Sequence, residues 1–163
     1  MANDTIKNLL EALEVSPDNV PLRLHLAELM LDDKMYSEAG EQFSNVLKRS
    51  YGNLKAQLGL ANCYFNTGKY SAAIIIYEQV GNKLPVDDQV RFVKCLIKEN
   101  SMQQAIEGYQ KILALNPLFS DDEIDNYLRL PNSVVSLADE LETVTMTKMV
   151  LILWKSQSGS SKM

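Results

Sequence analysis

The sequence predicts an all-α fold, an antiparallel helix-pair solenoid of three repeats plus an N-terminal capping helix. Three observations carry that expectation. Two segments align without gaps, Leu60 falling on Phe92 and every later match keeping that offset. A third copy lies upstream, with Leu26 falling on Leu60. Prolines close the later copies. Self-similarity at this period marks stacked supersecondary units, none of which can bury its apolar face alone.

The middle copy runs Leu60-Ala61-Asn62-Cys63-Tyr64-Phe65, then Gly68, Tyr70, Ala73, Tyr77, Val80 and Pro85. The next runs Phe92-Val93-Lys94-Cys95-Leu96-Ile97, then Asn100, Met102, Ala105, Tyr109, Ile112 and Pro117. The first contains Leu26, Ala27, Met30, Tyr36, Ala39, Phe43, Val46 and Tyr51. Ala27, Ala61 and Ala73 provide the small side chains needed where two helices cross closely. Tyr77 and Tyr109 fill the space between successive pairs. Gly68 stands where the chain reverses and a left-handed backbone is needed, and Asn100 is the next most tolerant residue for that conformation. Pro85 and Pro117 are expected to end the second helix of their pairs. Leu9, Leu13 and Pro17 lie one repeat length before Phe43, Leu47 and Tyr51, so residues 1–17 read as a lone second-type helix capping the stack. Residues 18–118 hold the three repeats. In 119–131, Ser120-Asp121-Asp122-Glu123 fits a capping box and starts a further helix that Pro131 ends.

This pattern resembles the tetratricopeptide repeat (TPR), over roughly residues 18–118. The first copy departs from the family at Tyr51, where Pro is usual. The third departs at Val93, where a small residue is usual, and is two residues short. The resemblance implies a right-handed superhelix whose concave groove is lined by the first helix of each pair. It also implies which positions face that groove: Leu24, Glu28 and Leu31, then Leu58, Asn62 and Phe65, then Val90, Lys94 and Ile97. Six of the nine are apolar. An apolar groove rimmed by Glu28, Asn62 and Lys94 suits an extended peptide or an amphipathic helix of a partner protein. Occupation by the chain's own C-terminal helix, or closure of the groove on itself, is an equal alternative. One TPR subgroup grips chaperone C-termini through a Lys and an Asn where this chain has Leu24 and Glu28, and Glu28 repels a carboxylate.

No enzyme is indicated. His25 is the sole histidine and has no Cys or acidic partner at metal spacing, so it reads as a helical surface residue. Cys63 and Cys95 share one repeat position and read as reduced, buried small hydrophobes. The pairs Asp32-Asp33, Asp87-Asp88 and Asp121-Asp122 fall at turns or helix starts, where acids favour the helix dipole. Gly159-Ser160-Ser161-Lys162 lacks the first glycine, strand and helix of a phosphate loop. No metal and no cofactor are expected.

The 163 residues are 46% hydrophobic and 23% charged, with a net charge of −5. That balance suits a globular domain, without the basic excess that nucleic acid or an anionic membrane attracts. The start of the chain does not resemble a secretory signal, and a cytoplasmic protein–protein interaction module is expected. Self-association through an exposed end repeat is a further option.

Residues 132–163 break the pattern. Thr143 to Trp154 is rich in Thr, Met and branched residues, and a polar tail follows. A strand or helix laid on the stack, a disordered tail, and an out-of-frame stretch are the three readings. Read one nucleotide out, Met146-Thr147 gives Asp, Met149-Val150 gives Gly and Trp154-Lys155 gives Glu, within a permitted acidic run. Leu113-Ala114-Leu115-Asn116-Pro117 and Ser120-Asp121-Asp122-Glu123 are also similar to the end of the TPR-like N-terminal region of some bacterial AAA+ ATPases. That similarity implies a truncated recognition region whose ATPase domain is missing from this chain.

Overall fold

Helix lengths alone reveal the repeat. A computed structural model describes residues 2–128, all helices and turns. Two compact units divide the chain, Met1–Phe119 and Ser120–Met163.

The first unit alternates two kinds of helix. The shorter, A-type helices are α2 (Val20–Asp32), α4 (Leu54–Asn66) and α6 (Val86–Lys98), each 13 residues long. The longer, B-type helices include α1 (Ala2–Val15), α3 (Tyr36–Arg49) and α7 (Met102–Leu115), each 14 residues long. The fourth B-type helix, α5 (Tyr70–Val80), is an 11-residue α-helix prolonged by a 3-residue 3-10 turn, Gly81–Lys83. Each helix packs on the next in the chain, and α2, α4 and α6 also pack side by side. The result is an all-α, TPR-like stack of helix pairs.

Each A helix starts and stops by local chemistry. The Asn19 and Asn53 carboxamides cap α2 and α4, accepting 3.0 Å hydrogen bonds from the Leu22 and Ala56 amides. Such caps satisfy amides that have no partner inside the helix. The A helices end in three identical reversals. Met35, Lys69 and Ser101 donate their amides back to the Met30, Tyr64 and Leu96 carbonyls at 2.8–2.9 Å. The residue before each donor is left-handed: Lys34 (φ 62°), Gly68 (φ 73°) and Asn100 (φ 58°). Gly68 and Asn100 behave as expected, whereas Lys34 carries no sequence signal for this conformation.

The two missing residues of the third repeat also have a location. Four residues join α1 to α2 and α3 to α4, namely 16–19 and 50–53. Only Leu84-Pro85 joins the 3-10 turn to α6. Gly81 (φ 59°) therefore ends α5, and Pro85 caps α6 rather than ending the helix before it. Pro117 follows α7 by two residues, as expected.

The core lies between the layers. Leu26, Ala27, Phe43, Val46, Ala61, Ala73, Tyr77, Val93, Cys95, Tyr109 and Ile112 are 0–2% exposed. Ile6 and Leu13 of α1 join it. Tyr77 meets Phe92 of the next pair with ring centroids 5.7 Å apart, and Tyr109 meets Phe119 at 6.2 Å.

In the second unit, α8 (Asp122–Leu128) is the described element. Its cap is Asp121, whose carboxylate accepts from the Glu123 and Ile124 amides at 3.1 Å. The expected cap, Ser120, lies one residue too early because the aspartate after it already reaches both amides. The readings of residues 132–163, and of the helix end at Pro131, lie outside the described residues.

Candidate functional site: the A-helix face

The nine residues assigned to the groove all fall on A helices. Leu24, Glu28 and Leu31 are on α2, Leu58, Asn62 and Phe65 on α4, and Val90, Lys94 and Ile97 on α6. Spacings of three and four residues put each trio on one helix face. Because α2, α4 and α6 pack side by side, the trios sit beside one another. Eight of the nine are half-buried, and Ile97 is buried at 5% exposure. Leu24, Leu31, Leu58 and Phe65 lean on the core, and the Phe65 ring meets Tyr70 edge-on at 6.1 Å.

The polar members are tied into neighbours that sequence reasoning missed. Glu28 Oε1 accepts from Lys55 Nζ at 3.1 Å, joining α2 to α4. Asn66 Nδ2 donates to Asn62 Oδ1 at 2.6 Å, one turn along the same helix. Asp32, Asn66 and Lys98 each lie one turn beyond Glu28, Asn62 and Lys94, and all three are exposed. The signal was available: a residue four after a surface position shares its face.

Asp32-Asp33 requires a correction. The pair closes α2, with Asp33 as its C-cap, so these acids sit at the negative end of the helix dipole. Asp87 and Asp88 occupy the first turn of α6, where the dipole favours them. Asp88 is 8% exposed and accepts from Arg91 Nη1 at 2.9 Å. Burial nevertheless raises its pKa above the usual 3.8, with Arg91 pulling the other way. The Tyr77 hydroxyl is buried without a hydrogen-bond partner, and burial, reinforced by the Asp88 charge, holds it well above its ordinary range.

The thiols are buried and protonated. Burial pushes Cys63 up to about 11 and Cys95 up to about 12. Among the described residues, no group of His, Cys, Asp and Glu is arranged to hold a metal ion. No described helix is long and apolar enough to cross a membrane.

Recesses lie away from this face. One, of about 300 Å³, is lined by Tyr77, Gln89, Phe92, Gly108 and Lys111. Another, of about 350 Å³, is lined by Gln57, Leu60, Tyr64, Ile76 and Gln79. Gln57, Leu60, Ile76 and Gln79 are the counterparts, one repeat earlier, of Gln89, Phe92, Gly108 and Lys111, so these are successive copies of one inter-pair seam. None of the nine face residues lines either recess.

Residues 30–93 match the tetratricopeptide repeat family model. The match runs from inside α2 to inside α6, across the whole of the middle pair. The chain is similar to the TPR family over that stretch, which is less than half of its length. The crystal structure of MamA protein superimposes on this chain with a TM-score of 0.67 and 20% identity. That alignment covers 97% of this chain and 85% of that one, and it shows a shared fold. A search of curated proteins finds no match.

Proposed function

We propose that this chain holds a peptide or helical segment of a partner protein against its A-helix face, within the cytoplasm, and performs no chemistry itself. The observation carrying the proposal is the pair of apolar ladders, Leu24–Leu58–Val90 and Leu31–Phe65–Ile97, on three A helices packed side by side. Repeats of this family generally bind other proteins. Two apolar rows running across three helices suit a segment of chain better than a small molecule. Binding of a peptide library is the test, with Leu58→Asp and Phe65→Asp as variants. Both should lose binding at least tenfold while keeping their helical circular dichroism. Parent-like binding by both variants would remove this face as the site.

A second reading makes the chain the recognition region of an AAA+ ATPase. It is supported by the similarity of Leu113–Pro117 and Ser120–Glu123 to the end of such a region. Gene sequence beyond the codon for Met163 tests it: an ATPase reading frame there supports it, and an unrelated frame removes it.

A further inference from the structure

Three equivalent turns follow the helices α1, α3 and α7. In each, the fourth residue donates its amide to the carbonyl of the first: Asn19 to Ser16 at 3.1 Å, and Asn53 to Ser50 and Phe119 to Asn116 at 3.0 Å. The third residue stands at the tip. It is Asp18 in the first turn, where Arg49 pairs with it at 2.7 Å, Gly52 in the second and Leu118 in the third. Leu118 is 93% exposed, and Leu115, the last residue of α7, is 71% exposed. Pro117 fixes the second position of this turn, and the Phe119 ring anchors its far side on Tyr109 at 6.2 Å. No residue from Ile112 to Ser120 is charged. The tip is thus an apolar knob held from both sides. Val15 is similarly exposed, but Glu14 and Asp18 flank it.

The seam between successive pairs also occurs three times, and its chemistry changes from copy to copy. Across the first, Arg23 reaches both the Pro17 carbonyl and Gln42 of α3, each at 2.7 Å, and Glu38 and Glu41 stand on α3. Across the last, Gln89 is tied to the Leu84 carbonyl at 2.9 Å, and Glu107 and Lys111 stand on α7. In the middle seam the counterparts of Arg23, Glu38 and Glu41 are Gln57, Ala72 and Ile75, and the counterpart of Lys111 is Gln79. The recess of about 350 Å³ there has walls from α3 and α5 and a floor from α4, and none of its nine lining residues is charged. Tyr51 and Ile75 at its mouth are 81% and 56% exposed. A cavity of about 150 Å³ takes a benzene-sized group, so this one takes about two leucine-sized side chains. Isolated exposed apolar residues are ordinary, but here an uncharged recess and an uncharged knob occur on one chain.

We infer that this chain self-associates head to tail, with the Leu115–Leu118 knob of one copy seated in the Tyr51–Ile75 recess of the next. Neither surface carries a charge that would lose its hydration on contact, and both bury apolar area. The turn is held in shape before contact, which lowers the ordering cost. The contact is small, so a Kd of about 0.1–1 mM is expected. It is also heterologous. Each copy keeps a free knob at one end of the assembly and a free recess at the other, so association runs on into a ring or an open chain rather than stopping at a dimer. None of the nine A-helix face residues takes part, so this inference stands apart from the reading proposed above.

Sedimentation equilibrium of the full chain tests it. The weight-average mass should rise with concentration and pass that of a dimer in the millimolar range. Leu118→Lys and Ile75→Lys alter exposed residues, so both should keep the parent's helical circular dichroism. Leu118→Ser or Ile75→Ser takes the place of a lysine variant that does not. Each variant should weaken association at least about tenfold, because it presents a charge to an apolar surface. Mixed in equal amounts, the two should associate again and stop at the dimer. The Leu118→Lys copy still offers its recess, and the Ile75→Lys copy still offers its knob. A parent that stays monomeric at about 2 mM, or that stops at a dimer without forming a ring or chain, overturns the inference. So does association that survives either variant, or a mixture of the two that stays monomeric.

Discussion

Lys34 occupies a conformation that Gly68 adopts without cost and Asn100 with little. A side chain with a Cβ in the left-handed region is strained by about 1–2 kcal/mol, part of which glycine returns through its freer unfolded chain. Lys34→Gly should therefore stabilise the protein by about 0.5–1 kcal/mol, read from the urea midpoint. Gly59 is the opposite case. A Cβ there would lie 2.3 Å from the Phe43 ring, which is 1% exposed. A buried ring cannot swing aside, so Gly59→Ala should cost about 2–3 kcal/mol despite alanine's better helix propensity. A smaller loss in a Phe43→Leu background would identify the ring as the cause.

Asp88 is a residue-scale titration. Its folded pKa lies above its unfolded value because burial disfavours the charge. The folded state then binds the proton more tightly, so this contribution is complete below the usual 3.8 and disappears as pH rises through the raised folded value. Asp88→Asn does not titrate. Relative to the parent, it should be more stable at pH 7 than at pH 3.5, in urea unfolding at the two pH values. Equal differences at both would show that Arg91 fully compensates the burial.

At the scale of elements, the third pair answers its odd residue internally. Val93 takes the place of Ala27 and Ala61, and would hinder the crossing of α6 and α7. Gly108 makes the room: a Cβ there would lie 2.9 Å from Val93 Cγ2. The equivalent residues of the other pairs, Gln42 and Ile76, carry full side chains. The bulk has moved from one helix to the other. Gly108→Ala should be at least about 1 kcal/mol more favourable in a Val93→Ala background than alone, as a double-mutant cycle would measure. Val93 was visible in the sequence as a deviation, but its partner on the following helix was not, because nothing local requires glycine there. The same limit explains Pro85. Its restriction of the preceding residue was legible, but Gly81 had already ended α5, so the proline serves the next helix instead.

The whole molecule behaves as a nearly linear stack in its first unit. Among the described helices each pair packs on its neighbours, so stability is shared between repeats and their interfaces. Hydrogen exchange should reflect this, with the slowest amides in α3, α4 and α5 and faster exchange in α1 and α7. Uniform protection from α1 to α7 would mean a single cooperative core instead. The thiols offer a second readout. Cys63 and Cys95 should resist a thiol reagent at pH 8 in the native state and both react once urea unfolds the stack.

The repeat itself belongs to the sequence. Apolar residues in phase from copy to copy, small residues at crossings, and Gly68 and Asn100 at reversals dictate helix pairs through local sterics and periodic burial. The nine face residues were named from the family resemblance, and the helix period adds only that each trio shares one side of its helix. Tertiary structure decided what depends on residues far apart in the chain. It set Phe43 on Gly59, placed Gly108 opposite Val93, and joined Glu28 to Lys55. It also packed α2, α4 and α6 side by side, bringing three separate trios together on one face. Periodicity specifies a direction around each helix, whereas only packing specifies which neighbour waits there.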